Sequence, residues 1–217
     1  MSMDQPDNEQ DRTVTACCDH DERARERLLR AAADVFDRKG YAAASVREIV
    51  EQARLTKPVL YYHFGSKEGI LVAILEEGAV RFEQAVSRAL AQNGSVRLRL
   101  AALCGEIHAL FKANVPAVRV AHALYFGPRE ALPPFDFGKF ERVMTDAVRR
   151  LAEEGMKSGE LRRVPVEDVA LTINAVIEAC TDQELNPHTR SLETDGIHRV
   201  VDLIFDGLVP VHARKEN

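Results

Sequence analysis

From Glu22 to Leu208 the apolar residues of this chain recur at intervals of three and four, and they almost never alternate one by one. That period gathers apolar side chains into one stripe of a helix, whereas a half-buried strand needs alternation, so the pattern predicts an all-α fold. Glycine and proline supply the breaks. The spacing predicts a first helix from Asp21 or Glu22 to Lys39, with Ala24, Leu28, Ala31, Ala32, Val35 and Phe36 on its buried stripe and Gly40 as its stop. Ser45 is placed to cap a short second helix that buries Val46, Ile49, Val50 and Ala53. Thr56 is placed to cap a third, with Pro58 in its first turn and Gly65 at its end. A longer helix is expected from the Ser66 cap to Ala91. Others follow near residues 96–114, 116–126, 137–157, 166–184 and 192–208.

The chain has 217 residues, 46% of them apolar and 29% charged, which excludes wholesale disorder and a disulfide-held miniature fold. Its charge is uneven. Residues 1–21 carry six acids against Arg12, residues 22–68 sum to +3, and the remainder sums to −3. An acidic whole with one basic segment suits a nucleic-acid reader attached to a body that does not bind the polyanion. Four regions are expected: a disordered acidic head over 1–20, a helix-turn-helix domain over 21–67, a helical domain over 68–209 and a short tail over 210–217. The absence of an export signal or an apolar run of roughly 18 residues predicts a cytoplasmic protein without a membrane partner. Four cysteines without a Cys-x-x-Cys pair fit reduced thiols there.

Two short helices joined by Arg54 and Leu55, the second opening on a polar cap and a base and closing on aromatics, form the unit that lets a helix enter a major groove. Leu60 and Phe64 stand at i, i+4 and are expected to pack inward. Lys57, Pro58, Val59, Tyr61, Tyr62 and His63 are then left on the outer side. There hydroxyls, an imidazole and an ammonium suit phosphate oxygens, and Pro58 and Val59 suit thymine methyls. From RERLLRAAADVFDRKGY through SVREIVEQARLTKPVLYYHFGSKEGI, residues 23–75 resemble the DNA-binding domain of TetR-type transcriptional regulators. The resemblance implies that Tyr61, Tyr62, His63 and Lys67 hold the DNA backbone, that Ser45 caps the second helix onto a phosphate and that Arg47 reaches a base. It also implies that Lys57, Pro58 and Val59, following Thr56 at the helix start, set sequence preference. Arg54 departs from the family, which commonly has glycine there. Either the turn is not left-handed, or Arg54 adds a phosphate contact.

Beyond about residue 80 only the family's general plan is similar, a helical body for effector binding and dimerisation. Expected lining residues for a small molecule are Ile107, Phe111, Tyr125, Phe126, Phe140, Met144 and Val148, with His108, His122, Asn174 and Glu178 as polar anchors beside Cys104. By resemblance the last two helices join two subunits through Val169, Ile173, Val176 and Ile177 and through Val200, Val201, Ile204 and Phe205. Cys104 and His108 share a helix face, and Cys17-Cys18-Asp19-His20-Asp21 is rich in ligand-type residues. Neither indicates a complete set, so no metal or other cofactor is expected. The resulting expectation is a ligand-responsive regulator, a repressor by family habit, that binds a pseudo-palindromic DNA operator as a homodimer and is released by a small-molecule effector. Its rivals are a helical module that binds protein instead of DNA, and a small-molecule enzyme. The enzyme lacks support from any Gly-rich phosphate loop, metal-hydrolase motif or nucleophile elbow.

Overall fold

The computed structural model describes residues 9–128, 133–186 and 194–208, which excludes the expected tail over 210–217 and the first eight residues of the acidic head. Among the described residues there are nine helices and no strand: α1 (Glu9–Lys39), α2 (Val46–Ala53), α3 (Lys57–Phe64), α4 (Lys67–Leu90), α5 (Val96–Ala113), α6 (Val115–Tyr125), α7 (Gly138–Ser158), α8 (Val166–Leu185) and α9 (Thr194–Leu208). Apart from the start of α1, the bounds lie within two residues of those the periodicity predicts. The helix begins at Glu9 instead of Asp21, so residues 9–20 are helical and not a disordered head. No Pro or Gly falls between Asp7 and Lys39 to stop it, and acidic residues are favourable near the positive end of a helix dipole.

The chain divides into two compact units, Met1–Leu75 and Glu76–Asn217. The division falls further along α4 than the expected boundary between residues 67 and 68, and the first turns of that helix carry the fully buried Ile70 and Leu71 of the first unit. In that unit α1 packs on α2 and α3. All six residues of the predicted α1 stripe are buried, as are Ile49, Val50 and Ala53 of α2, while Val46 is half-buried. The start of α2 is a capping box: Glu48 N–H donates to Ser45 Oγ at 3.3 Å and Ser45 N–H to Glu48 Oε2 at 3.0 Å. Lys39 also pairs with Glu48, so α1 is tied to this cap.

In the second unit α5 is the central element, packed against α6, α7, α8 and α9. Leu100, Leu103, Cys104 and Ile107 are buried along it at helical spacing, together with Val148 and Leu151 of α7, Ile173 of α8 and Val201 of α9. Arg99 is buried among them. Its charge is met by Glu154 at 2.6 Å and its second amino group by the Leu90 carbonyl at 3.2 Å.

The α2 cap makes stability depend on pH. The bond from Lys39, followed by the two from Ser45, lowers the Glu48 pKa from an ordinary 4.5 to about 2. A carboxyl depressed on folding contributes stability that is complete above its unfolded value and lost as pH falls through the folded one. The difference in melting temperature between the wild type and Glu48→Gln is therefore expected to be full above about pH 4.5 and to close as pH approaches about 2. Thermal unfolding followed by circular dichroism across that window checks it.

Candidate nucleic-acid interface

The eight residues of α3 have one fully buried side chain, Leu60, and this determines what faces outward. Tyr62 is 77% exposed and Tyr61 49%. Thr56, Lys57 and Pro58 are exposed and Val59 is half-buried. Phe64 is half-buried under the Arg25 guanidinium, 5.6 Å from its ring centre. Thr56 holds the cap position, yet its side chain makes no capping bond. The outer surface of α3 therefore presents two phenols, an ammonium, a hydroxyl and the Pro58 ring, a combination suited to phosphate oxygens and base edges.

Ser45 and Arg47 stand at the start of α2, as its cap and in its first turn. The Ser45 hydroxyl is exposed but engaged with Glu48. Arg47 pairs with Glu51 at 2.7 Å with both side chains in solvent, a screened contact that a phosphate can displace.

Two of the expected DNA contacts have partners within the chain. The His63 side chain is 6% exposed, with Nε2 3.3 Å from the Asp21 carboxylate and the ring set between Tyr62 and Phe64. At the last turn of a helix anchored by Leu60 it turns toward α1, not outward. Lys67 is taken up internally as well: Nζ donates to the carbonyls of Tyr41 at 2.9 Å, Ala44 at 3.0 Å and Ala42 at 3.4 Å, and lies 4.4 Å from the Tyr41 ring centre. The loop after α1 offers several carbonyls, and an ammonium has three donors to satisfy them.

Arg54 keeps the left-handed backbone, with φ 52° and ψ 45°, and its N–H bonds the Glu51 carbonyl at 3.1 Å. The idea of a different turn is therefore set aside. A non-glycine residue in this conformation costs about 1 kcal/mol. Arg27, which the sequence reading missed, supports the turn by donating to the carbonyls of Ala53 at 2.5 Å and Arg54 at 3.3 Å. Its only sequence signal is a base next to the buried Leu28.

In the body, the twelve residues expected around a small molecule do not share one pocket. Cys104 and His108 line a crevice with Val176, Ile177, Cys180, Thr181 and Ile197, too narrow for a water molecule. Ile107, Met144 and Val148 are core residues, and Phe111 and Phe140 pack around Phe82 at 6.3 and 5.3 Å between ring centres. Tyr125 and Phe126 are half or more exposed, with His122 against Phe126. The Asn174 amide oxygen is buried without a hydrogen bond, and Glu178 is exposed beside His122. The sequence reading missed Glu184, which pairs with His108 at 3.0 Å with both side chains under 8% exposed. Burial raises the Cys104 thiol to about 12 and, with Glu184 second, also raises Cys180.

The residues expected at a subunit interface differ in their burial within the chain. Val169, Ile173, Val201 and Phe205 are buried in the chain's own core, while Val176, Ile177, Val200 and Ile204 are half-buried. Among the described residues, the large apolar side chains exposed on α8 and α9 are Leu171 at 71% and Leu203 at 72%. Among the described residues no helix is long and apolar enough to cross a membrane.

With this geometry in place, a family model described as bacterial regulatory proteins of the tetR family matches residues 28–74, the segment holding α2 and α3. Residues 28–74 are thus similar to the DNA-binding domain of the tetR family of bacterial regulatory proteins. The chain is 49% identical over 59 residues to the A-factor receptor protein of Streptomyces griseus, which covers 26% of this chain and 21% of that protein. It is 25% identical to the transcriptional repressor AcnR of Corynebacterium glutamicum over 83% of this chain and 90% of that one. The TetR-family regulator PfmR of Thermus thermophilus superposes with a TM-score of 0.69 and 26% identity, over 85% of this chain and all of PfmR. AcnR is a transcriptional repressor and PfmR a transcriptional regulator.

The two kinds of contact are separable by experiment. Lys67→Met is expected to destabilise the protein by about 2 kcal/mol and leave the salt dependence of DNA binding unchanged, whereas Tyr62→Ala is expected to weaken binding to every sequence by about 1 kcal/mol with stability unaltered. Denaturant unfolding and gel shifts at several salt concentrations measure both. Arg54→Gly relieves the turn, so unchanged or raised stability is expected. If the guanidinium also contacts phosphate, the same variant lowers the salt slope by about 1.

Proposed function

We propose that this chain is a TetR-type regulator, a homodimeric repressor held in the cytoplasm that binds a pseudo-palindromic operator and leaves it when a small molecule binds the helical body. The observation that carries the reading is the exposure of Tyr62 and Tyr61 with Lys57 and Pro58 on one side of α3, over a buried Leu60. Large aromatics left mostly in solvent favour an external partner. The phosphate set is Tyr61, Tyr62, Ser45 and Thr56, and the base-reading set is Lys57, Pro58, Val59 and Arg47. Repression follows the habit of the family, and AcnR, similar over most of its length, is a transcriptional repressor.

A dimer places two copies of α3 on two half-sites, and the outward Leu171 and Leu203 are proposed as its contact. An effector then acts only through its different affinities for the two arrangements of the heads, typically about 1–3 kcal/mol. The crevice beside His108 and Glu184 is the proposed seat, opened by the ligand that enters it. Its polar pair would set the ligand's orientation while Val176, Ile177 and Ile197 supply apolar contact.

Selection from a random DNA pool is expected to return an inverted repeat, and compounds are then screened for release from it. Retention of no DNA at low salt would favour the protein-binding module instead. The double variant Leu171→Glu, Leu203→Glu is expected to sediment as a monomer of unchanged helix content and to lose operator affinity by at least about tenfold, since one head alone contacts half the site. Analytical ultracentrifugation and gel shifts on one sample decide it.

A further inference from the structure

His122 on α6 faces Glu178 and Asp182, which lie one turn apart on α8. The three donor atoms, Nε2 and one oxygen from each carboxylate, lie within 4.8 Å of one another. Nε2 is 3.5 Å from Glu178 Oε1 and 3.6 Å from Asp182 Oδ1. Nitrogen and oxygen donors bound at about 2.1 Å to one tetrahedral ion stand about 3.4 Å apart, so these separations are those of ligands sharing an ion.

They are not those of hydrogen-bonded partners. His122 Nε2 is withdrawn from solvent and makes no hydrogen bond. Elsewhere in the same body, His108 and Glu184 meet at 3.0 Å, as an imidazole and a carboxylate do when they bond directly. The His122 nitrogen instead stops short of two acids that, at i and i+4, repel each other. Something cationic between the three groups would satisfy the nitrogen lone pair and both carboxylates together. The imidazole plane is held for this by Phe126, whose ring centre is 4.4 Å away, and α6 is tied to the end of α8 by Arg119, which donates to the Leu185 carbonyl at 3.0 Å.

We infer that His122, Glu178 and Asp182 form a site for one divalent cation of the zinc class. One imidazole and two carboxylates form a borderline donor set. It lacks the thiolates that select copper(I), and its nitrogen disfavours magnesium and calcium. Three protein ligands leave a fourth position for water or for an oxygen of a bound molecule. The ion would fasten α6 to α8, two helices that are already neighbours. This assignment is independent of DNA binding.

The test uses the full chain after chelation, in a background of Cys17→Ser, Cys18→Ser and His20→Ala that removes the ligand-type residues near the start of α1. Zinc is titrated by equilibrium dialysis, and cobalt(II) serves as an absorbing substitute. The expected result is one zinc per chain and a cobalt spectrum of tetrahedral intensity. Glu178→Gln and Asp182→Asn should each weaken binding about tenfold or more. Both side chains are more than half exposed, so these variants keep the fold even if His122→Ala does not. Absence of zinc from the background protein, or affinity unchanged by both carboxylate variants, overturns the site.

Discussion

The burial of Leu60 is the contact on which the reading surface depends. An eight-residue helix is too short to be stable by itself, so α3 exists because a side chain on it is taken into a core. With Leu60 at zero exposure, the rotation of the helix about its axis is determined. That rotation puts Tyr62 and Lys57 in solvent and turns His63 toward Asp21. A displaced Leu60 would alter every outward group at once, so core and interface are one constraint in this helix.

Charge in the head serves structure as much as recognition. Arg27 closes the end of α2, Arg38 bonds Gln52, Lys39 joins the α2 cap and Lys67 holds the loop before α2. A net charge of +3 over residues 22–68 therefore overstates what a duplex meets. Residue type and spacing put Lys67 and His63 in the unit, but neither reveals which carbonyls or carboxylates compete with a duplex for them. Arg54 is the opposite case. The family habit of glycine at that turn pointed to a left-handed backbone, and the backbone is left-handed although the residue is arginine.

In the body, periodicity was enough for the helices and the core. Leu100, Leu103 and Ile107 on α5 and Val148 and Leu151 on α7 are buried as their spacing requires. The pocket and the subunit face were less legible for a physical reason. A stripe identifies the side of a helix that is covered, not whether its own chain or a second one covers it. Val169, Ile173, Val201 and Phe205 are covered by their own chain. Leu171 and Leu203 stand off the stripe, exposed to solvent. The pairing of His108 with Glu184, and of His122 with two acids of α8, joins residues far apart in sequence that no local spacing relates.

The sealed thiols give the body a built-in clock. Cys104 is 1% exposed and its proton is held until about pH 12, so at neutral pH an alkylating reagent has no anion to attack. Cys180 is buried beside it with its own acidity suppressed. Modification at either position must wait for the helices around α5 to part. Once Cys17 and Cys18 are replaced by serine, the rate at which label accumulates measures how often this core breathes, and a tightly seated effector would slow it.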